Sequence, residues 1–573
     1  MSFTQNVCRS MTAAALAAAF LGLAALTPLA SAQSVTLSSA AEQAANAQIT
    51  RATLEAPIRF LADDLLEGRG PATRGDELSR LYLSRELQAL GYQPGGPDGK
   101  WEQPIDVVGV TAKTPQTWTF TLAGGAGKGN VDLKRYDEYM GASGVETPAA
   151  GFENADVVFV GYGIEAPEYQ WDDFKGTDVR GKVVVMLNND PDWDDKLFAG
   201  KTRLYYGRWV YKFESAARHG AAGVIIVHTT PSAGYPWQVI QSSWSGERFE
   251  LPAEGEPHVQ FRGWATESAA RKLAKAGGQD LDKLIAAAKS RNFKPIPLAL
   301  KTTFRFDNKV SRVKTANVAG LLPGSDPKLK SEVVILSAHH DHLGIGPPDA
   351  MGDKIYNGAE DNASGCAQVL AIARAMAALP ERPRRSVLVL FLAAEEQGLL
   401  GSQYYAKHPT FEPGKIAVNV NYDGGSIRGR TRDLTLIGYG KSSLDGIVKT
   451  LLDKQGRVLV PDQFPDRGYF YRSDQFNFAK IGVPALYFDR GTDVIGKPPG
   501  WGRQQQEEWE EHTYHQPSDQ ITDQWVFDGM IEDAKIGFYS AWLVAQADAM
   551  PAWNKGDEFE AARLAALKKA SAH

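Results

Sequence analysis

Cysteine is nearly absent: the 573 residues contain two, Cys8 and Cys366. Cys8 sits in an N-terminal stretch that reads as removed on export, so an internal disulfide is excluded from what remains. Stability then has to come from core size, which a chain of this length supplies. A dominant charge sign is also missing. The 62 basic and 68 acidic residues, net −6, are mixed along the chain without a basic stripe or tail. Nucleic acid is therefore not an expected partner. No fixed-period repeat occurs, and the low-complexity sequence is confined to an Ala/Lys-rich tail after Pro551. Hydrophobic residues at 43% and charged residues at 23% exclude a disordered or fibrous chain.

Long apolar runs are lacking as well. The run Met11–Leu26 is shorter than the roughly 20 residues a spanning helix needs. Arg9 precedes it and Ala30-Ser31-Ala32 follows, the small-x-small pattern of a signal peptidase site, with cleavage expected before Gln33. Residues 1–32 read as a signal peptide, and the protein as exported, periplasmic or extracellular, without a stable membrane anchor. Cys8 precedes the apolar run, where it is badly placed for lipid attachment.

What is present divides the chain. From Ala47 to Leu90 the pattern is helical, with Leu83, Leu87 and Leu90 on one face and Gly91 as a C-cap; Gly68-Arg69-Gly70-Pro71 reads as a tight loop between helices. Residues 33–107 form this N-terminal part. Between about 108 and 306, short β-branched runs (Val157–Val160, Val183–Leu187, Val224–Val227) alternate with Gly/Pro-rich turns, with a helix at Phe213–His219, as in a small strand-dominated domain. From 307 to 550 buried strands (Val333–Ser337, Val387–Ala393, Ile416–Tyr422, Ala485–Phe488) are separated by helical segments such as Ser364–Leu379. The expected fold class is α/β, a mixed, mostly parallel sheet sandwiched by helices, with a β-rich insertion and a tail at 551–573.

Open α/β sheets bind ligands at the carboxyl ends of their strands. Three strands end in His339-His340-Asp341-His342, Glu395-Glu396-Gln397-Gly398 and Asp423-Gly424-Gly425. Glu360-Asp361-Asn362 enters a helix, and Tyr514-His515-Gln516-Pro517 follows a polar loop. Each piece alone matches by accident often; their shared placement does not. Metal-assisted hydrolysis fits: two zinc ions sharing one carboxylate need about five protein ligands, and His339, Asp361, Glu396, Asp423 and His515 supply that set. Glu395 is left over as general base, and Asp341, two residues from His339, as acceptor for that imidazole's other N–H. Tyr514 is a candidate contact for the substrate carbonyl or the tetrahedral intermediate. His342 and His512 are set aside as ligands, and His219, His228 and His258 read as structural.

The segments Ser337–Gly344, Asn357–Gly365, Glu395–Ser402, Asn421-Tyr422-Asp423 and Tyr514–Asp519 resemble the di-zinc aminopeptidase family that also contains glutamate carboxypeptidase and glutaminyl cyclase. The resemblance covers most of Asn317 to Trp542 and the N-terminal helices. It implies a zinc-exopeptidase fold and two Zn2+ per chain. Asp361 would bridge them, His339 and Asp423 completing one site and Glu396 and His515 the other, with Glu395 as base, Asp341 as orienting carboxylate and peptides or proteins as substrates. Glu360 stands where Asp is more usual and His340 where Tyr is more usual. The middle region resembles a protease-associated domain in Val158–Gly163, Gly181–Val185 and Ala216–Gly223. Aminopeptidase action is the first expectation. Carboxypeptidase or dipeptidase action stays open, since Arg472 and Arg490 can supply a cationic pocket. The complete ligand set argues against one-zinc cyclase chemistry and against a dead scaffold.

Overall fold

The computed structural model describes residues 36–123 and 129–572; the expected signal peptide and Cys8 lie outside the described residues. Eight strands form the sheet that carries the candidate site: β1 Glu102–Lys113, β2 Ile296–Leu322, β3 Val333–His339, β4 Ser386–Leu392, β5 Ile416–Tyr422, β6 Asp433–Ile437, β7 Val458–Pro461 and β8 Ala485–Asp489. Their order is β1-β2-β4-β3-β5-β8-β6-β7. The central four, β4, β3, β5 and β8, are parallel. Every residue of β3, β4 and β5 is buried, as apolar runs covered on both faces require.

Helices α1 Arg51–Leu61, α2 Arg74–Ala89, α3 Ser364–Ala377 and α5 Asp528–Gln546 pack on one face. On the other, Tyr405 of α4 Leu400–Lys407 and Phe478 of the short helix Gln475–Lys480 cover β3, β4 and β5. The helix α3 is buried nearly all round, which its Ala-rich, apolar sequence permits. Among the described residues no helix is long and apolar enough to cross a membrane.

The strands of the expected insert continue the same hydrogen-bonded sheet through β2. Strands Ala149–Phe159, Val183–Leu187, Gly223–His228 and Phe261–Thr266 run parallel, and Tyr139–Ser143 joins them antiparallel. Its core gathers around Trp118, which touches Phe120, Tyr139, Phe261 and Phe304. The expected boundaries at 108 and 306 both fall inside strands. From Asp307 to Val318, β2 pairs with β1; its earlier part pairs with Ala149–Phe159. The composition shifts where the side-chain environment changes, but the backbone ladder runs straight through. The Ala/Lys-rich tail forms a helix, Glu560–Ala570, and its buried Arg563 donates to Ile416 O at 2.9 Å and Pro551 O at 3.2 Å.

The tight loop before α2 is a clasp. Glu67, Gly68 and Arg69 all take left-handed backbone angles. A Cβ on Gly68 would lie 2.5 Å from Tyr356 O, so glycine is required there. This turn buries the Arg69 guanidinium, which donates to Leu61 O, to His340 O at 2.9 Å, to Asn357 O at 2.6 Å and to Gly358 O at 2.9 Å. One side chain thus ties α1 to the loop after β3 and to the loop that carries Asp361. Arg69→Leu strands these buried carbonyls and is expected to cost about 3–5 kcal/mol in urea unfolding. A loss below about 1 kcal/mol would contradict the clasp.

Candidate metal centre

The strand register places the first two candidate ligands. His339 pairs with Leu392 on one side, and Ser337 pairs with Asn421 on the other, so the residue after β5, Asp423, arrives beside His339. His339 Nε2 stands 3.3 Å from Asp423 Oδ1 and 3.2 Å from Asp361 Oδ1. The other oxygen of Asp361 faces a second group: Oδ2 is 3.3 Å from His515 Nε2, which is 2.9 Å from Glu396 Oε2. Asp361 therefore lies between two half-sites. Donor atoms of His339, Asp361 and Asp423 fall within 4.8 Å of one another, as do those of His342, Asp361 and Glu396.

The residues fit divalent cations. Three carboxylates converge in a buried spot, and Asp361 Oδ1 and His515 Nε2 make no aligned hydrogen bond. Uncompensated buried charge is costly, and a bound cation beside Asp361 would remove that cost. Without one, protons take its place: burial opposes charge on His515, yet Glu396 and Asp361 raise it to about 9. The two neighbouring glutamates are pushed apart. Burial, with Asp423 and Glu396, lifts Glu395 well above the usual carboxylate range against the pull of His339. Burial also opposes ionisation of Glu396, but His515 and His342 hold it down to about 2.

The surrounding groups fix these side chains. Asp519 accepts the backbone N–H of Glu360 at 2.9 Å and of Asp361 at 3.0 Å. The Asp341 carboxylate accepts Glu395 N–H at 3.0 Å and Glu396 N–H at 3.4 Å, and stands 3.7 Å from His339 Nδ1. The His339 ring nitrogen is nearer to the Asp341 backbone carbonyl, at 3.2 Å. Asp341 thus grips the turn that carries both glutamates. His515 Nδ1 is 2.8 Å from Ser243 Oγ, on the short helix Trp237–Ser243 of the insert.

Both departures from the usual pattern have partners in this chain. His340 Nε2 is 3.0 Å from Asp76 Oδ1 of α2, and Glu360 pairs with Arg490. Arg490 also meets Asp489 at 3.2 Å, so its charge is taken up. Tyr514 stacks on His515 with centroids 3.9 Å apart, and its hydroxyl accepts from Arg472 Nη2 at 3.2 Å. Glu395, Glu396, Tyr514 and His515 open on a cleft of about 150 Å³ whose far wall is insert: Tyr205, Trp209, Tyr235 and Trp244.

All the sequence-predicted site residues meet here. His342 was set aside, yet its Nδ1 lies 2.8 Å from Glu396 Oε1; its place in His339-x-x-His342 was the available signal. Ser243 and Arg69 had none, because their partners are remote in sequence. His512 is exposed, His219 stacks on Phe174 at 3.6 Å, and His228 Nε2 lies 3.1 Å from Tyr235 O, all outside the cluster.

Residues 317–532, which hold all five candidate ligands, match the family described as Peptidase family M28. The chain is 25% identical over 459 residues to a probable leucine aminopeptidase 2 of Aspergillus oryzae, across 77% of this chain and 73% of that protein. Leucine aminopeptidase 2 of Trichophyton equinum is 26% identical over 236 residues, 39% of this chain and 42% of that protein. Among solved structures, the aminopeptidase from Aneurinibacillus sp. strain AM-1 superposes with a TM-score of 0.51 at 18% identity, over 88% of this chain and 96% of that one. At that identity the likeness is one of fold.

Ser243→Ala removes the hydrogen bond between Ser243 and the His515 imidazole. It is expected to weaken zinc binding by about 10–100-fold in chelator competition, as losing an orienting partner does. Unchanged zinc affinity would show that Ser243 does not orient His515.

Proposed function

We propose, on the match of residues 317–532 to peptidase family M28, that the chain is an exported two-zinc aminopeptidase that releases N-terminal residues from peptides and proteins. The observation that carries this reading is Asp361, with one oxygen toward His339 and the other toward His515. His339 and Asp423 would hold one zinc, Glu396 and His515 the other, with Asp361 shared. Zinc bound there supplies a Lewis acid for the peptide carbonyl and lowers the pKa of the attacking water.

The side chains do the rest. Glu395, on the turn gripped by Asp341, takes a proton from the attacking water and hands it to the departing amine. The Tyr514 hydroxyl, held by Arg472, is placed to donate to the oxygen that gains charge as the carbonyl becomes tetrahedral. The insert, which we read as a protease-associated domain, walls the cleft and limits water. Export rests on the N-terminal sequence pattern, and aminopeptidase action on the named relatives.

The test compares a peptide bearing a free α-amino group with its N-acetylated form, using zinc-loaded enzyme. Turnover of the free peptide and none of the blocked one is expected. In the Glu395→Gln enzyme the same turnover should fall by roughly 10²–10⁴-fold with zinc content intact. Equal hydrolysis of blocked and free peptides would rule out the aminopeptidase reading, and zinc loss in Glu395→Gln would reverse the roles of the two glutamates.

A further inference from the structure

Three arginines line the cleft without a carboxylate partner; Arg248 donates to the carbonyls of Ser243 and Glu396, which leaves Arg208 and Arg472. Arg472 gives Nη2 to Tyr514, but its Nη1 is buried with no partner, and its guanidinium is ringed by Tyr469, Tyr235 and Tyr514 at 5.1, 5.4 and 5.8 Å. Arg208, on the insert just before the helix Trp209–Arg218, has a buried Nε with no partner and rests 5.8 Å from the Trp209 ring. Both line the same cleft as Glu395, Glu396 and His515. Among the described residues, no carboxylate lies within 4.0 Å of either guanidinium.

Buried Arg203 also lacks a carboxylate partner, but other arginines nearby are paired. Arg467 pairs with Glu510, Arg490 with Glu360 and Arg262 with Glu250. Buried guanidinium groups are normally paired, and two like charges facing one cavity cost free energy until an anion joins them. The charge of Arg472, added to burial, holds Arg208 down to about 10. Orienting Tyr514 accounts for one nitrogen of Arg472. It accounts neither for the idle Nη1 nor for Arg208, which comes from a separate segment of chain.

We propose that Arg208 and Arg472 form a carboxylate subsite that favours peptides carrying a carboxylate on the residue after the scissile bond. This rests on the peptidase reading above, with Tyr514 at the scissile carbonyl. One residue of extended chain spans about 3.3–3.6 Å, so a carboxylate one residue further on comes within reach of a guanidinium bonded to the Tyr514 hydroxyl. The planar fork of a guanidinium suits a carboxylate. The group comes either from the α-carboxylate of a dipeptide or from an acidic side chain at that residue.

Two substrate pairs separate these sources: Leu-Ala against Leu-Ala-amide, and Leu-Glu-amide against Leu-Gln-amide, measured as kcat/KM on the zinc-loaded full chain and on Arg208→Gln. In the wild-type enzyme at least one carboxylate-bearing member should exceed its neutral partner by roughly 10–100-fold, chiefly through KM. A preference in the first pair assigns the α-carboxylate, and in the second the side chain. Arg208→Gln should bring that ratio near one. Ratios within about twofold of one in both wild-type pairs, or a preference that survives Arg208→Gln, overturn the subsite. If none of the four peptides is hydrolysed, the aminopeptidase reading fails and calorimetry decides the subsite alone. Titrated into the zinc-loaded Glu395→Gln enzyme, tighter binding of an acid member supports the subsite, and equal binding overturns it.

Discussion

Asp361 must face two ways at once, and most of the catalytic half is arranged around that demand. Its carboxylate lies 3.2 Å from His339, at the end of β3, and 3.3 Å from His515, on a turn far along the chain. Holding it there takes Asp519 on the backbone N–H groups of Glu360 and Asp361, and Arg69 on the carbonyls of Asn357 and Gly358 just upstream. The strands then deliver the rest. Parallel pairing of β4, β3 and β5 sets His339, Glu395–Glu396 and Asp423 at the carboxyl ends of neighbouring strands.

A second layer links this edge to distant parts of the chain. Asp341 grips the glutamate turn, Asp76 of α2 meets His340, and Ser243 of the insert meets His515. The insert is thus tied to the centre as well as standing over it. Arg248, beside Ser243, donates to Ser243 O at 2.8 Å, while Gln397, next to Glu396, accepts the Phe249 N–H at 3.1 Å. A displacement of the insert would be felt at His515 and at the glutamate turn together.

The sequence made some of this legible for a physical reason. His339, Glu395, Glu396 and Asp423 each follow a continuous apolar run, and such runs in an α/β chain mark parallel strands whose ends face ligands. Asp361 precedes a helix whose composition is unmistakably buried. The supporting residues were hidden because nothing local marks them. Arg69 looks like any loop arginine until its carbonyl partners, far along the chain, are in place. His340 and Glu360 looked like departures from a pattern, yet Asp76 and Arg490 supply their partners. The long strand β2 pairs both with β1 and with the strand Ala149–Phe159, and composition cannot register such a shared backbone ladder.

The central claim is that one carboxylate serves two metal ions, and zinc stoichiometry tests it most directly. Zinc bound per chain would be measured in Asp361→Ala, His339→Ala and His515→Ala beside the unmodified protein. Loss of about two ions in Asp361→Ala, against about one in each histidine variant, is the predicted result. Retention of two ions by Asp361→Ala, with the fold intact, would contradict the shared-carboxylate account.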